Sequence, residues 1–320
     1  MMIAASTCML QPRRMAMMTA VFALISLLLV PLAAGVDVEL PSFAPFLLLA
    51  GMFAALLPYF NWRKMYRLRA AMETGILSFL FTVPVLVLTY CAMRLGFPLA
   101  DDWLAAMDAQ LGIHTPDIVQ WVDRFPALAW ILDQAYMSLG LQLLLLPPLL
   151  ALFGRADQAY RFTSCYFVLC AISSLIAIGF PSLGAFGYYG LTQADLSNID
   201  ARFGYEFSDS FNAVRNDPTF RLSLGVASGI VTFPSVHAGA AVLCAWAALA
   251  SSLLRWPMLA LNVAMFASAI THGAHYFVDL LAGALVALAT IMLVNRLTIP
   301  GTLRAQSVLI NDRGAPATAA

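Results

Sequence analysis

Charge is scarce in this chain of 320 residues: 11% of them are Asp, Glu, Lys or Arg, where a soluble domain carries about 25%. Lysine is reduced to a single residue, Lys64, and the 17 basic side chains are balanced by 17 acidic ones. A nucleic-acid-binding chain shows a basic surplus, and this one has none. Cysteine is sparse and scattered. Cys8 lies in the N-terminal tail and Cys91, Cys165, Cys170 and Cys244 lie within apolar runs, so no two share an outer loop and they read as small apolar residues. The excess is in apolar side chains, which make up 62% of the chain and raise the mean hydropathy to +0.83. They gather in runs near membrane-spanning length, longer than a soluble core requires. Such a chain is a polytopic membrane protein.

Eight apolar stretches can be drawn, about 15–34, 42–60, 74–95, 128–152, 162–181, 236–254, 257–274 and 276–294. The seventh is the weakest, opened by Trp256-Pro257 and closed by Thr271-His272. Lipid cannot satisfy free backbone N–H and C=O groups, so each stretch is expected to be helical, and the fold class is an all-α transmembrane helical bundle. With the N-terminus in the cytoplasm, twelve basic residues fall inside: Arg13, Arg14, Arg63, Lys64, Arg67, Arg69, Arg155, Arg161, Arg255, Arg296, Arg304 and Arg313. Only Arg94, Arg124, Arg202, Arg215 and Arg221 fall outside, the asymmetry expected of a cytoplasmic face. The acids sort the other way, with only Glu73, Asp157 and Asp312 inside. The N-terminal run also fits a secretory signal peptide, with Arg13-Arg14 before it and Pro31-Leu32-Ala33-Ala34-Gly35 after it. Cleavage there would leave seven spans in the same orientation.

Three outer segments follow from this topology: 96–127, 182–235 and the short turn at 271–275. The first reads as two amphipathic helices resting on the bundle, Leu104, Met107 and Leu111 recurring at helical spacing among Asp101, Asp102 and Asp108. The second is the longest polar stretch, and loops of that length are usually functional or disordered. Residues 1–60 form N-terminal spans, 61–296 a membrane-embedded domain, and 297–320 a flexible cytoplasmic tail ending in GAPATAA.

Ionisable residues at the edges of spans are costly and point to function. Of four histidines, His237, His272 and His275 fall at the outer ends of the last three stretches. In Phe233-Pro234-Ser235-Val236-His237, Ser235 is a natural N-cap and the free N–H groups of the following helix form an anion site beside His237. In Thr271-His272-Gly273-Ala274-His275-Tyr276-Phe277-Val278-Asp279, His275 and Asp279 stand four apart. On a helix the carboxylate then fixes one ring nitrogen and leaves the lone pair of the other free, making a nucleophile or general base. His237 opposite it can serve as acid. His272, His275 and Asp279 on one helix face are also a spacing that can bind a transition metal, the alternative being a metal-binding membrane protein or transporter. A role for His272 in capping the seventh helix is the simpler one. His114 reads as a surface loop residue.

Together the two clusters resemble the type 2 phosphatidic acid phosphatase superfamily, and within it the branch of fungal inositol phosphorylceramide synthases and their bacterial relatives. The resemblance covers roughly 95–295, including Val214-Arg215-Asn216-Asp217 and an acidic helix at Asp101–Gly112. It implies a core six-helix bundle and a bacterial inner-membrane enzyme working at the periplasmic face on a lipid phosphate or phospholipid. It needs no metal and no cofactor. It further implies that His275 attacks phosphorus, Asp279 orients it, and His237 protonates the leaving oxygen and then activates the acceptor. Ser235, Arg215, Arg221 and His272 are the residues expected around the substrate. The superfamily's usual first motif, a lysine followed by Arg-Pro, is missing, and Ala269 stands where an arginine usually precedes the histidine. Phosphate must then be held from elsewhere, Arg215 first and Arg221 or Arg202 behind it. Water as acceptor makes the protein a phosphatase, and an alcohol makes it a headgroup transferase.

Overall fold

The protein is described by a computed structural model over residues 10–200 and 202–298; of the expected cytoplasmic tail, residues 299–320 lie outside the described residues. In chain order the helices are α1 Pro12–Ala34, α2 Ala44–Trp62, α3 Tyr66–Arg94, α4 Asp101–Gln110, α5 Thr115–Asp123 and α6 Pro126–Leu152. There follow α7 Ala156–Gly179, α8 Gly184–Tyr189, α9 Arg202–Asn216, α10 Val236–Ala248, α11 Arg255–His272 and α12 Phe277–Leu297. Two-residue strands β1 (Asp37–Val38) and β2 (Arg221–Leu222) pair in parallel, joining the loop after α1 to the long outer segment. The chain is thus an all-α polytopic bundle. The helix limits follow local chemistry: α1 begins with proline in its first turn and stops at Gly35, whose φ of 66° closes the last turn through a bond to the Pro31 carbonyl.

Helices stand at all eight expected places, but six of them, α1, α2, α3, α6, α7 and α12, are long and apolar enough to cross a membrane. The sixth expected span is cut short: α10 ends at Ala248 and has 13 residues, a rise of about 20 Å against a hydrocarbon layer of about 30 Å. Its surroundings explain this. Ala238, Gly239, Ala240, Ala241, Leu243, Cys244, Ala247 and Ala248 are all buried, enclosed by α6, α7, α11 and α12. A helix wrapped in protein need not match the bilayer. The small residues let its neighbours come close: a Cβ on Gly283 of α12 would stand 2.1 Å from the Ser235 carbonyl oxygen, so only glycine permits this approach.

Two cores stack along the bundle. The inner one joins α1, α3, α6, α7, α10 and α12 around Phe81, Phe162, Phe167 and Leu169. At the same end Arg13 of α1 and Arg69 of α3 bind the buried Glu73 carboxylate, which also accepts the Tyr160 hydroxyl of α7. The N-terminal span is therefore locked into the bundle. The outer core sets Phe207, Phe211 and Val214 of α9 against Val83, Val87 and Tyr90 of α3.

The helix α4 corrects the expectation of a purely interfacial element. Its buried face is Asp101, Leu104, Ala105 and Asp108, while Leu111 is exposed. Two aspartates seven residues apart share one side of a helix, and here that side faces the start of α12 and the turn before α8. Asp108 accepts the Phe277 and Val278 N–H groups at 2.8 and 2.9 Å. Asp101 accepts the Ser182 hydroxyl, the Tyr276 hydroxyl and the Leu183 N–H at 2.8, 3.0 and 3.0 Å. The orphan N–H groups of α12 are thus satisfied from another helix.

Candidate active site

Ser235 caps α10 as its sequence position requires, its Oγ accepting the Ala238 N–H at 3.2 Å. The same oxygen lies 3.1 Å from His275 Nε2, and His275 Nδ1 lies 3.2 Å from Asp279 Oδ2. Ser235, His275 and Asp279 therefore form one chain of contacts, all three nearly fully buried. With the proton on Nδ1, the carboxylate holds the ring and the Nε2 lone pair accepts the Ser235 O–H. Asp279 Oδ2 also accepts the Tyr276 N–H at 3.0 Å, and the Ser235 N–H donates to the Asp279 carbonyl at 3.0 Å, so the two segments are stitched through backbone as well.

The His275–Asp279 pairing forms without the helix expected to carry it. Helix α11 ends at His272 and α12 begins at Phe277, leaving His275 in the connecting turn. Ala274 takes φ 55°, a left-handed conformation costly for a residue with a side chain. It is held there by its neighbours: its carbonyl accepts the Ala185 N–H at 2.7 Å. Gly273 has no room for a Cβ, which would meet Tyr136 Cε2 and His275 Cδ2 at 2.9 Å. This break also removes the common helix face on which the metal alternative rests. His272 sits in the last turn of α11 beside the Thr271 hydroxyl, 2.9 Å away, and among the described residues no group of three or more His, Cys, Asp or Glu side chains is arranged to hold a metal ion.

His237, in the first turn of α10, stacks face to face on Tyr136 of α6, with ring centroids 4.3 Å apart and planes 7° from parallel. His237, His275 and Tyr136 line one cavity of 430 Å³, together with Gly273 and the Ser228–Thr232 segment. Burial pushes the His275 imidazole down to about 4, although a hydrogen bond to the Thr232 backbone favours its protonated form. The ring is then neutral at pH 7.

The expected substrate arginines are elsewhere. Arg215 donates to the Phe97 carbonyl at 2.7 Å and lies over the Phe211 ring; Arg221 pairs with Asp37 at 2.7 Å. Neither they nor His272 line the cavity, and no lysine or arginine among the described residues does. Sequence reasoning singled out neither Tyr136, which stacks on a candidate catalytic ring, nor the structural role of Asp101 and Asp108. The aspartates left a signal in their seven-residue spacing within a chain poor in charge. Tyr136 left none beyond being a polar-tipped residue in an apolar stretch.

The PAP2 superfamily sequence model matches residues 102–293, more than half of the chain, and so contains Tyr136, Ser235, His237, His275 and Asp279. No curated protein and no solved structure matches the chain. The chain belongs to the PAP2 superfamily, which makes it a phosphatase-like lipid phosphoesterase embedded in the membrane through its apolar helices.

Proposed function

We propose that the protein is a metal-independent lipid phosphatase or phosphotransferase that works through a phosphohistidine at the extracytoplasmic face. The observation that carries this reading is the alignment of Ser235, His275 and Asp279, with His237 on the same cavity. His275 Nε2 attacks phosphorus and forms an N–P bond as the bond to the leaving oxygen breaks. Burial and the nearby His275 hold the His237 imidazole down to about 3; it takes up its proton with the phosphate, whose negative charge favours the imidazolium, and gives it to the leaving oxygen. Asp279 stabilises the charge that appears on the His275 ring. Water or an alcohol then attacks phosphorus, His237 takes its proton, and the N–P bond breaks to restore the enzyme. For the attack the Ser235 O–H turns away from His275 Nε2, and the Ser228–Thr232 segment, which lines the cavity, offers donors to the non-bridging oxygens, where negative charge accumulates in the transition state.

The decisive experiment is rapid quenching of the full-length protein with radiolabelled phosphatidate. An acid-labile, base-stable label mapping to His275 is expected, absent from His275→Ala. Turnover that persists in His275→Ala overturns the reading.

A headgroup transferase of the inositol phosphorylceramide synthase type is the second reading, favoured by the absence of a basic residue in the cavity lining among the described residues. A phosphate monoester carries close to two charges at pH 7 and a diester only one, so a cavity without cations suits a diester donor better. Transfer to inositol or to a lipid alcohol without release of free phosphate distinguishes it from the phosphatase.

A further inference from the structure

A second cavity, of 300 Å³, adjoins the first, and the two share Val85, Leu86, Gly140, Leu143 and Tyr166 in their walls. Both lie between α3, α6 and α7, and we read them as two parts of one trough. Its lining changes with depth. At the outer end stand His237, His275, Ser228 and Thr232; at the inner end stand Phe79, Phe81 and Phe162. Along α3 the trough runs from Thr89 to Ser78, eleven steps of about 1.5 Å and so about 16 Å, roughly half the hydrocarbon thickness. The polar cavity thus continues into an apolar slot that reaches about halfway through the hydrocarbon.

Gly140 stands where the two cavities meet. It is exposed, it lies inside α6 where glycine weakens a helix, and a Cβ built on it meets nothing within 4 Å. No packing contact demands glycine here. The space beside it is the trough, which a larger side chain would fill.

We propose that this trough holds one acyl chain of the substrate and that Gly140 keeps it open, so that the enzyme selects lipids by tail as well as by phosphate. The proposal rests on the phosphate reacting at His275, because that places the glycerol end of the lipid at the polar mouth and leaves its tail to continue inward. The occupant is an acyl chain rather than a protein helix, since a space of 300 Å³ is too small for a helix of about 10 Å diameter and shares its walls with the cavity of His275.

The test uses full-length protein in detergent micelles and a phosphatidate carrying a diazirine near the end of one acyl chain. Wild type is expected to photolabel on Phe81, Phe162 or Tyr166, and Gly140→Leu to lose that label while Gly140→Ala keeps it. Labelling only at outward-facing positions such as Leu141 and Leu145, unchanged by Gly140→Leu, overturns the proposal. In turnover, Gly140→Leu is expected to lower kcat/KM for dioleoyl phosphatidate by at least about tenfold and to spare dihexanoyl phosphatidate. Equal effects on both also overturn it. His275→Ala is expected to keep the label and lose turnover, so failure of the phosphohistidine reading and failure of the trough are read separately.

Discussion

The His275 ring is prepared by burial on one side and by a carboxylate on the other. Burial disfavours the charged imidazole, so the free base is the form present at neutral pH. The sign is definite. Between the ordinary value of about 6.5 and the lowered value of about 4, the unfolded chain binds a proton at this position and the folded one does not. The contribution of this ring to stability therefore falls as pH drops through that window. For activity, the acid limb of kcat/KM set by this group is expected near pH 4 rather than near 6.5, provided the protein remains folded there; a limb centred on 6.5 would contradict the buried neutral nucleophile. Asp279 was legible as the partner because four residues separate it from His275. The actual contact arises differently, across a turn with Ala274 in a left-handed conformation, and no spacing rule contains that.

At the scale of elements, the site is a junction of three chain segments held by a fourth. The start of α10 supplies Ser235 and His237, the turn before α12 supplies His275, and α6 supplies Tyr136. Helix α4 holds the turn before α12 in place through Asp101 and Asp108. Replacing Asp108 by Ala would leave two buried N–H groups of α12 without an acceptor, each costing about 1–3 kcal/mol. Asp108→Ala is therefore expected to lower Tm and, where it folds, to reduce kcat well beyond any change in KM; Asp108→Asn, which keeps one acceptor oxygen, should recover part of both. Thermal unfolding and steady-state kinetics on the same preparations check this. The amphipathic pattern of α4 was visible in the sequence, but not that Asp101 and Asp108 share the buried side with Leu104. Apolar periodicity points to Leu104, Met107 and Leu111, whereas the N–H groups at the start of α12 select the aspartate side instead.

At the scale of the whole molecule, most of the basic residues fall on one face in the expected topology and the histidine cavity on the other. Exposed Trp62 and Trp256 accompany the basic face, and exposed Trp103, Trp121 and Trp130 the opposite one, the two aromatic belts expected at the surfaces of a bilayer. A labelling experiment tests the orientation. Cys91, Cys165, Cys170 and Cys244 are buried, so with Cys8→Ser a new exposed cysteine reports alone. Asp200→Cys is expected to react with a membrane-impermeant maleimide in intact cells, and Lys64→Cys only after permeabilisation. The reverse pattern would put the site on the cytoplasmic face. Oriented as proposed, the bundle holds its reactive groups at the level of lipid headgroups, with the apolar trough leading inward from them.

Bilayer physics made much of this protein readable from the chain alone. Spans must be apolar and helical, and charge sorts by side, so the fold class and the places of the eight helices followed from runs and arginines. Histidines at helix ends marked the candidate site because ionisable groups are costly to leave there without purpose. The tertiary structure decided what depends on contacts between segments distant in sequence. It enclosed α10 so that thirteen residues suffice, turned Asp101 and Asp108 inward to cap α12, and engaged Arg215 and Arg221 with Phe97 and Asp37 outside the cavity. A local pattern records which groups must avoid lipid or seek a partner. Which partner each one finds is set by packing, and packing is a property of the whole bundle.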